Sequence, residues 1–180
     1  HNFLYLYDIY FLPKDERPIL ITASGPSLTA NLNILQKIRK YVRLWALPSS
    51  LMALLHNNLI PDLIIVSDPG FYTTMHLHSL FRNTRVPIAL PLSAARGIVP
   101  HDVPIVPLCQ NYFFENRLFE KVSHNPIRIK SNGTVAGTAL ELALLYSDNN
   151  VYFSGLDFSY DDLFSHASPH AFEMLFEDMC

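Results

Sequence analysis

Short runs of branched apolar residues, each closed by a Gly- or Pro-bearing turn and followed by a stretch of helical periodicity, recur along these 180 residues. Pro18-Ile19-Leu20-Ile21-Thr22-Ala23 is the first such run and reads as a buried strand, with Ser24-Gly25-Pro26-Ser27 directly behind it. Leu28, Leu32, Leu35 and Ile38 then recur at the spacing of one helical face, predicting a helix to Lys40. Val42 to Leu47 repeats the strand, Ser49 to Asn57 a short helix, and Leu63 to Val66 a third strand. After Ser67-Asp68-Pro69-Gly70 a helix is expected to Arg82, and Val86 to Leu90 reads as a fourth strand. Residues 91 to 130 are Pro-rich and read as irregular, apart from a short strand around Ile105-Val106. Thr134 to Tyr146 predicts the clearest helix, and Val151-Tyr152-Phe153 a strand ending at Gly155-Leu156-Asp157. Alternating strands and helices imply an α/β fold of three layers, a mostly parallel central sheet covered on both faces.

Length suits one domain, expected over residues 18–180, behind an aromatic lead-in segment at 1–17. Charged residues are only 16% of the chain while the apolar class is 49%, so part of the surface is expected to be covered by a partner or by more polypeptide, which leaves room for an oligomer. With no initiator Met at its start, the chain reads as a piece of something longer. The net charge of −3 offers no field for a nucleic-acid backbone, which argues against DNA or RNA as a partner. Cys109 and Cys180 are too few for a disulfide framework or a thiolate zinc site, and the expected compartment is the reducing cytoplasm. The longest uncharged stretch, Leu44 to Pro61, is broken by Pro48, His56 and Asn57-Asn58, so no membrane span is expected.

In parallel sheets ligands bind beyond the carboxyl ends of the strands, and one rim there is expected to assemble four turns. In the first, Gly25 permits close backbone approach and the helix behind it offers N–H groups to a phosphate; equally, Pro26 presets a turn and Ser27 caps the helix. The turn lacks the spaced glycines of a dinucleotide fingerprint and the Gly-Lys-Ser/Thr of a P-loop, which disfavours NAD or ATP bound in those modes. Asp68 follows an apolar strand and suits ribose hydroxyls or a hard cation, against the plainer reading of an Asp-Pro-Gly turn. Ser131-Asn132-Gly133-Thr134 opens the strongest helix, either facing a nucleotide or capping with Ser131 or Thr134. In the last, Gly155 to Tyr160 leads to Ser165-His166-Ala167-Ser168-Pro169-His170. There His166 is the preferred general base and Tyr160 a donor to a departing phosphate, weighed against a chain with eight His, most of them incidental. No His spacing points to a metal, and His76 and His78 point different ways on a helix.

Three segments taken in order, Ile21 to Leu28, Ile60 to Asp68, and Ser131 to Thr134 through Tyr152 to Phe158, resemble the motility-associated factor (Maf) glycosyltransferases and their 6-hydroxymethylpterin diphosphokinase-like relatives. The turn and the Gly155-Leu156-Asp157-Phe158 strand end are also similar to bacterial sialyltransferases. The resemblance implies a Rossmann-like domain that takes a CMP-activated nonulosonic sugar as donor and passes the sugar to a protein hydroxyl, flagellin being typical, with no metal required. By position it implies a nucleotide pocket lined by Ser24, Gly25, Pro26, Ser27, Gly155 and Asp157, with Asp68 near the ribose or sugar, Ser131, Asn132, Gly133 and Thr134 facing the nucleotide, and Tyr160 and His166 assisting departure and acceptor activation.

Two rival readings remain. A pterin pyrophosphokinase requires magnesium and several carboxylates, yet Pro69 stands where such enzymes carry part of an Asp-Leu-Asp-Gly, and His166-Ala167-Ser168-Pro169 has no acid. The other is a non-catalytic module binding a nucleotide or a partner through the aromatic stretches at 3–11 and 112–119.

Overall fold

A computed structural model describes residues 12–14, 16–78, 85–95, 99–100, 102–121, 125–160 and 165–173. Seven strands form one all-parallel sheet: β1 (Ile19–Thr22), β2 (Arg43–Ala46), β3 (Leu63–Ile65), β4 (Ile88–Pro91), β5 (Ile105–Cys109), β6 (Ile127–Arg128) and β7 (Val151–Ser154). Between them run α1 (Ser27–Ile38), α2 (Leu51–His56), α3 (Phe71–His78), α4 (Phe113–Phe119) and α5 (Val135–Tyr146). The strand order is β6-β5-β4-β3-β2-β1-β7. The chain therefore steps outward from β1 to β6, and α5 carries it back to lay β7 on the other side of β1. The direction of winding reverses between β1 and β7, and the loops that follow these strands lie at the carboxyl edge, where sheets of this kind bind ligands.

Successive residues of each strand point to opposite faces, and the core divides accordingly. Leu20, Leu44, Ile64, Ile88 and Ile105 face one way, meeting Leu28, Leu32 and Leu35 of α1, Leu51 and Leu54 of α2 and Leu77 of α3. Ile21, Trp45, Ile65, Ala89 and Val106 face the other, meeting Ala139, Leu142 and Ala143 of α5. Three layers result, as expected. Each fully buried Leu or Ile contributes roughly 1.5–3 kcal/mol, and the continuous apolar strands follow from burial on both faces.

Residues 91–130 depart from the irregular reading. They hold a full five-residue strand, the helix α4 and the edge strand β6. Pro107 reads as a strand breaker, yet it pairs in register with Leu90. Helix α4 is inverted relative to the usual pattern, since Glu115 is fully buried while Phe113 is 78% exposed. A periodicity search keyed to apolar residues on the inner face cannot see it. The expected continuation of α3 to Arg82, the lead-in at 1–11 and the chain end at 174–180 lie outside the described residues. Among the described residues, no helix is long and apolar enough to cross a membrane.

Candidate functional site

The loops after β1 and β7 are tied into a knot. Ala23 N–H donates to the Ser154 carbonyl at 2.9 Å and Gly25 N–H to the Gly155 carbonyl at 2.6 Å. A Cβ on Gly25 would stand 2.6 Å from that same carbonyl oxygen and nearer still to the Asp157 carboxylate, so only glycine fits. Gly155, at φ +78°, adopts a left-handed backbone that favours glycine. Asp157 then closes the N-terminus of α1: its Oδ2 accepts from the Ser27 amide at 2.8 Å and its Oδ1 from the Ser27 hydroxyl at 2.5 Å. The next amides, of Leu28 and Thr29, donate to the carbonyls of Gly25 and Pro26. Pro26 is the N-cap and Ser27 the first helical residue, so Ser27 makes no cap of its own. A negative charge does sit at this helix end, where the dipole favours one, but the chain supplies it.

Beside the knot lies an outer hollow of about 420 Å³, bordered by Ser24, Gly25, Gly155, Asp157, Tyr160 and His166. The segment carrying His166 is pinned to β1 and α1, because Ala167 N–H donates to the Ser24 carbonyl at 2.6 Å and Ser168 N–H to Thr29 Oγ1 at 3.1 Å. His166 Nδ1 and Ser165 Oγ share a 2.7 Å hydrogen bond. Behind His166 stand two more imidazoles, with centroids 4.5 Å from His166 to His170 and 4.9 Å from His170 to His76. Burial first, then the neighbouring His170 and His166, lowers His76 to a pKa of about 4. Burial and His166 lower His170 to about 4 as well, against a raising effect of Glu173. Both inner rings are therefore neutral at pH 7.

A middle hollow of about 310 Å³ shares Leu156 and Phe158 with the outer one and is bordered also by Asp68, Thr73, His76 and Thr134. Asp68 keeps its turn role, accepting from Gly70 N–H at 2.8 Å and from the Thr73 hydroxyl at 2.9 Å. Thr134 caps α5 by accepting from Gly137 N–H at 3.0 Å. The two amides between them in the first turn, of Val135 and Ala136, have no hydrogen-bond partner among the described residues, and both residues border this hollow.

A third hollow of about 370 Å³ lies on the far side of Asp68, bordered by its neighbours Ser67 and Pro69 and by Ser131 and Asn132 from the lead into α5. Asn132 Nδ2 donates to Glu141 Oε2 at 2.7 Å and to the Lys130 carbonyl at 3.2 Å. The four turns do meet on one rim, but as three adjoining hollows rather than a single crevice. Of the expected site residues, Pro26, Ser27 and Gly133 border none of these three, and a Cβ on Gly133 would meet nothing within 4 Å. Tyr112 and Phe114 of the third hollow belong to the aromatic stretch at 112–119 that the sequence offered as a binding segment, whereas Gln110 was not singled out, and His76 and His170 were named without a role at the site. The edge-to-face contact of His76 and His170 is long-range and carries no local signal. No cluster of three or more His, Cys, Asp or Glu able to hold a metal occurs among the described residues.

The family model described as 6-hydroxymethylpterin diphosphokinase MptE-like matches residues 2–163. Two proteins of Treponema pallidum (strain Nichols), both described as uncharacterized, are similar to the chain: one is 29% identical over 170 residues, covering 92% of this chain and 38% of the relative. The other is 27% identical over 165 residues, covering 87% and 28%. The chain thus spans well under half the length of these relatives. Among solved structures, the Maf glycosyltransferase from Magnetospirillum magneticum AMB-1 superposes with a TM-score of 0.68 at 20% identity, over 84% of this chain and 24% of that one. At that identity the likeness establishes the fold.

Proposed function

Because the chain belongs to the 6-hydroxymethylpterin diphosphokinase MptE-like family, we propose that it forms the donor-binding transferase domain of a Maf-type glycosyltransferase. It passes a nonulosonic, sialic-acid-like sugar from a CMP-activated donor to a protein hydroxyl, with flagellin as the expected acceptor and no metal required. The observation that carries this reading is the row of three adjoining hollows along the carboxyl edge, which suits an elongated donor better than a compact one. The middle hollow offers a phosphate the Val135 and Ala136 amides at the positive end of α5. Asp68, at its border, can accept from ribose hydroxyls.

In the outer hollow the acceptor hydroxyl attacks the anomeric carbon and the new C–O bond forms as the bond to the phosphate oxygen breaks. The bonding electron pair leaves with CMP, assisted by the Tyr160 O–H. In the tautomer whose Nδ1–H donates to Ser165 Oγ, 2.7 Å away, His166 Nε2 keeps a lone pair and takes the acceptor proton. Incubating the protein with a CMP-nonulosonic donor and an acceptor peptide, CMP release is expected from the wild type. His166→Ala should lower turnover by roughly 10²–10⁴-fold at unchanged CMP affinity. Turnover equal to the wild type would remove His166 from the reaction.

The pyrophosphokinase reading requires magnesium held on carboxylates and triphosphate. Among the described residues Asp68 is the one carboxylate bordering the middle hollow, where several are required. This donor set does not fit, and no AMP is expected from ATP, magnesium and the pterin alcohol.

A further inference from the structure

We infer that the third hollow is the nucleobase subsite, a reading that rests on the proposed nucleotide donor and adds where its base is held. Tyr112 is 44% and Phe114 50% exposed, and the two rings lie side by side at the border of one cavity. Their rings are 6.1 Å apart between centroids and 4° from parallel, so they present a common flat orientation.

This pair is held in place. The Tyr112 hydroxyl and Ser131 Oγ form a 2.7 Å hydrogen bond that joins the loop after β5 to the lead into α5. Asn111, just before it, adopts φ +64°, a conformation that asparagine tolerates. Its side chain is fixed from β6, accepting from Arg128 Nη1 at 2.8 Å and donating to the Ile129 carbonyl at 3.3 Å. Gln110 is anchored by its backbone N–H, which donates to the buried Glu115 carboxylate at 2.7 Å. Ordered aromatic faces of this kind stack on a planar ring at little entropic cost.

The polar groups favour a neutral ring over an anion. None of the side chains bordering the hollow carries a formal charge. Asn132 points its Nδ2 at Glu141, a carboxylate that only accepts, which fixes the amide orientation and leaves Oδ1 as acceptor for a ligand. Gln110 Oε1 accepts from Ser93 at 3.5 Å, leaving its Nε2 as donor. One acceptor and one donor beside aromatic faces match the amino and carbonyl edge of a base such as cytosine. The adjoining middle hollow, on the other side of Asp68, receives the ribose and phosphate.

Calorimetric titration of the protein with CMP and, separately, with ribose 5-phosphate tests this. The wild type should bind CMP more tightly than ribose 5-phosphate. Phe114→Ala should weaken CMP by about tenfold or more while leaving ribose 5-phosphate unchanged, and Phe114→Tyr should retain the CMP affinity. Unchanged ribose 5-phosphate binding also reports that the variant is folded. CMP bound equally by the wild type and Phe114→Ala would overturn the base subsite and leave the nucleotide reading standing. A wild type that binds neither probe would overturn both.

Discussion

Helices α1 and α5 both begin at the carboxyl edge of the sheet, yet their first turns are completed differently. In α1 the Ser27, Leu28 and Thr29 amides are all paired, the first of them with a carboxylate from the loop after β7. In α5 the cap is local, Thr134 to Gly137, and the two amides between remain beside the middle hollow. A Gly-Pro-Ser turn ahead of a helix reads as an anion site, and it is one, but the anion belongs to the protein. A helix N-terminus to which the fold brings an acid of its own therefore has its first amides already taken.

The largest expected effect comes from opening the closed end. Asp157→Ala removes two hydrogen bonds to Ser27 and the charge at the α1 terminus, costing about 2–3 kcal/mol. For a chain of this size the melting temperature should fall by roughly 5–10 °C, read by thermal denaturation. A melting temperature equal to the wild type would mean that the closed end is not structural.

Acidification should reach the cluster of imidazoles between the outer and middle hollows. The folded-state pKa of His76 and of His170 is lowered to about 4 from 6.5, so the unfolded chain binds more protons between those values. Their contribution is complete above pH 6.5 and is lost as the pH falls towards 4. The melting temperature should decline through that window, and His170→Phe should make the decline shallower. A decline of the same size in His170→Phe would contradict the assignment.

Two smaller effects sharpen the contrast at α5. Thr134→Ala should cost about 1 kcal/mol in denaturant unfolding, the usual loss of a cap. Gly133→Ala should change stability by less than about 0.5 kcal/mol, since its Cβ enters open space.

Much of the frame was legible in the order of residues. Strand β7 is marked by its branched and aromatic residues ahead of Gly155, and the apolar runs of β1 and β3 and the Leu28-Leu32-Leu35 face of α1 carry their own pattern because burial dictates it locally. So do the turns that meet at the rim. Less visible were features whose partners lie far along the chain: the bond from Ser27 to Asp157 spans 130 positions, and nothing near Ser27 marks that its amide is taken. Helix α4 escaped notice because it buries Glu115 and exposes Phe113. The division of the rim into three hollows depends on how Leu156, Phe158 and Asp68 stand between loops, which no spacing encodes.

The difference between the two helix ends can be read directly by recording backbone amide resonances while CMP is added. Shifts at Val135 and Ala136, with Ser27 and Leu28 unmoved, are the predicted result. Shifts at Ser27 and Leu28, with Val135 and Ala136 unmoved, would place the phosphate on α1 and contradict it.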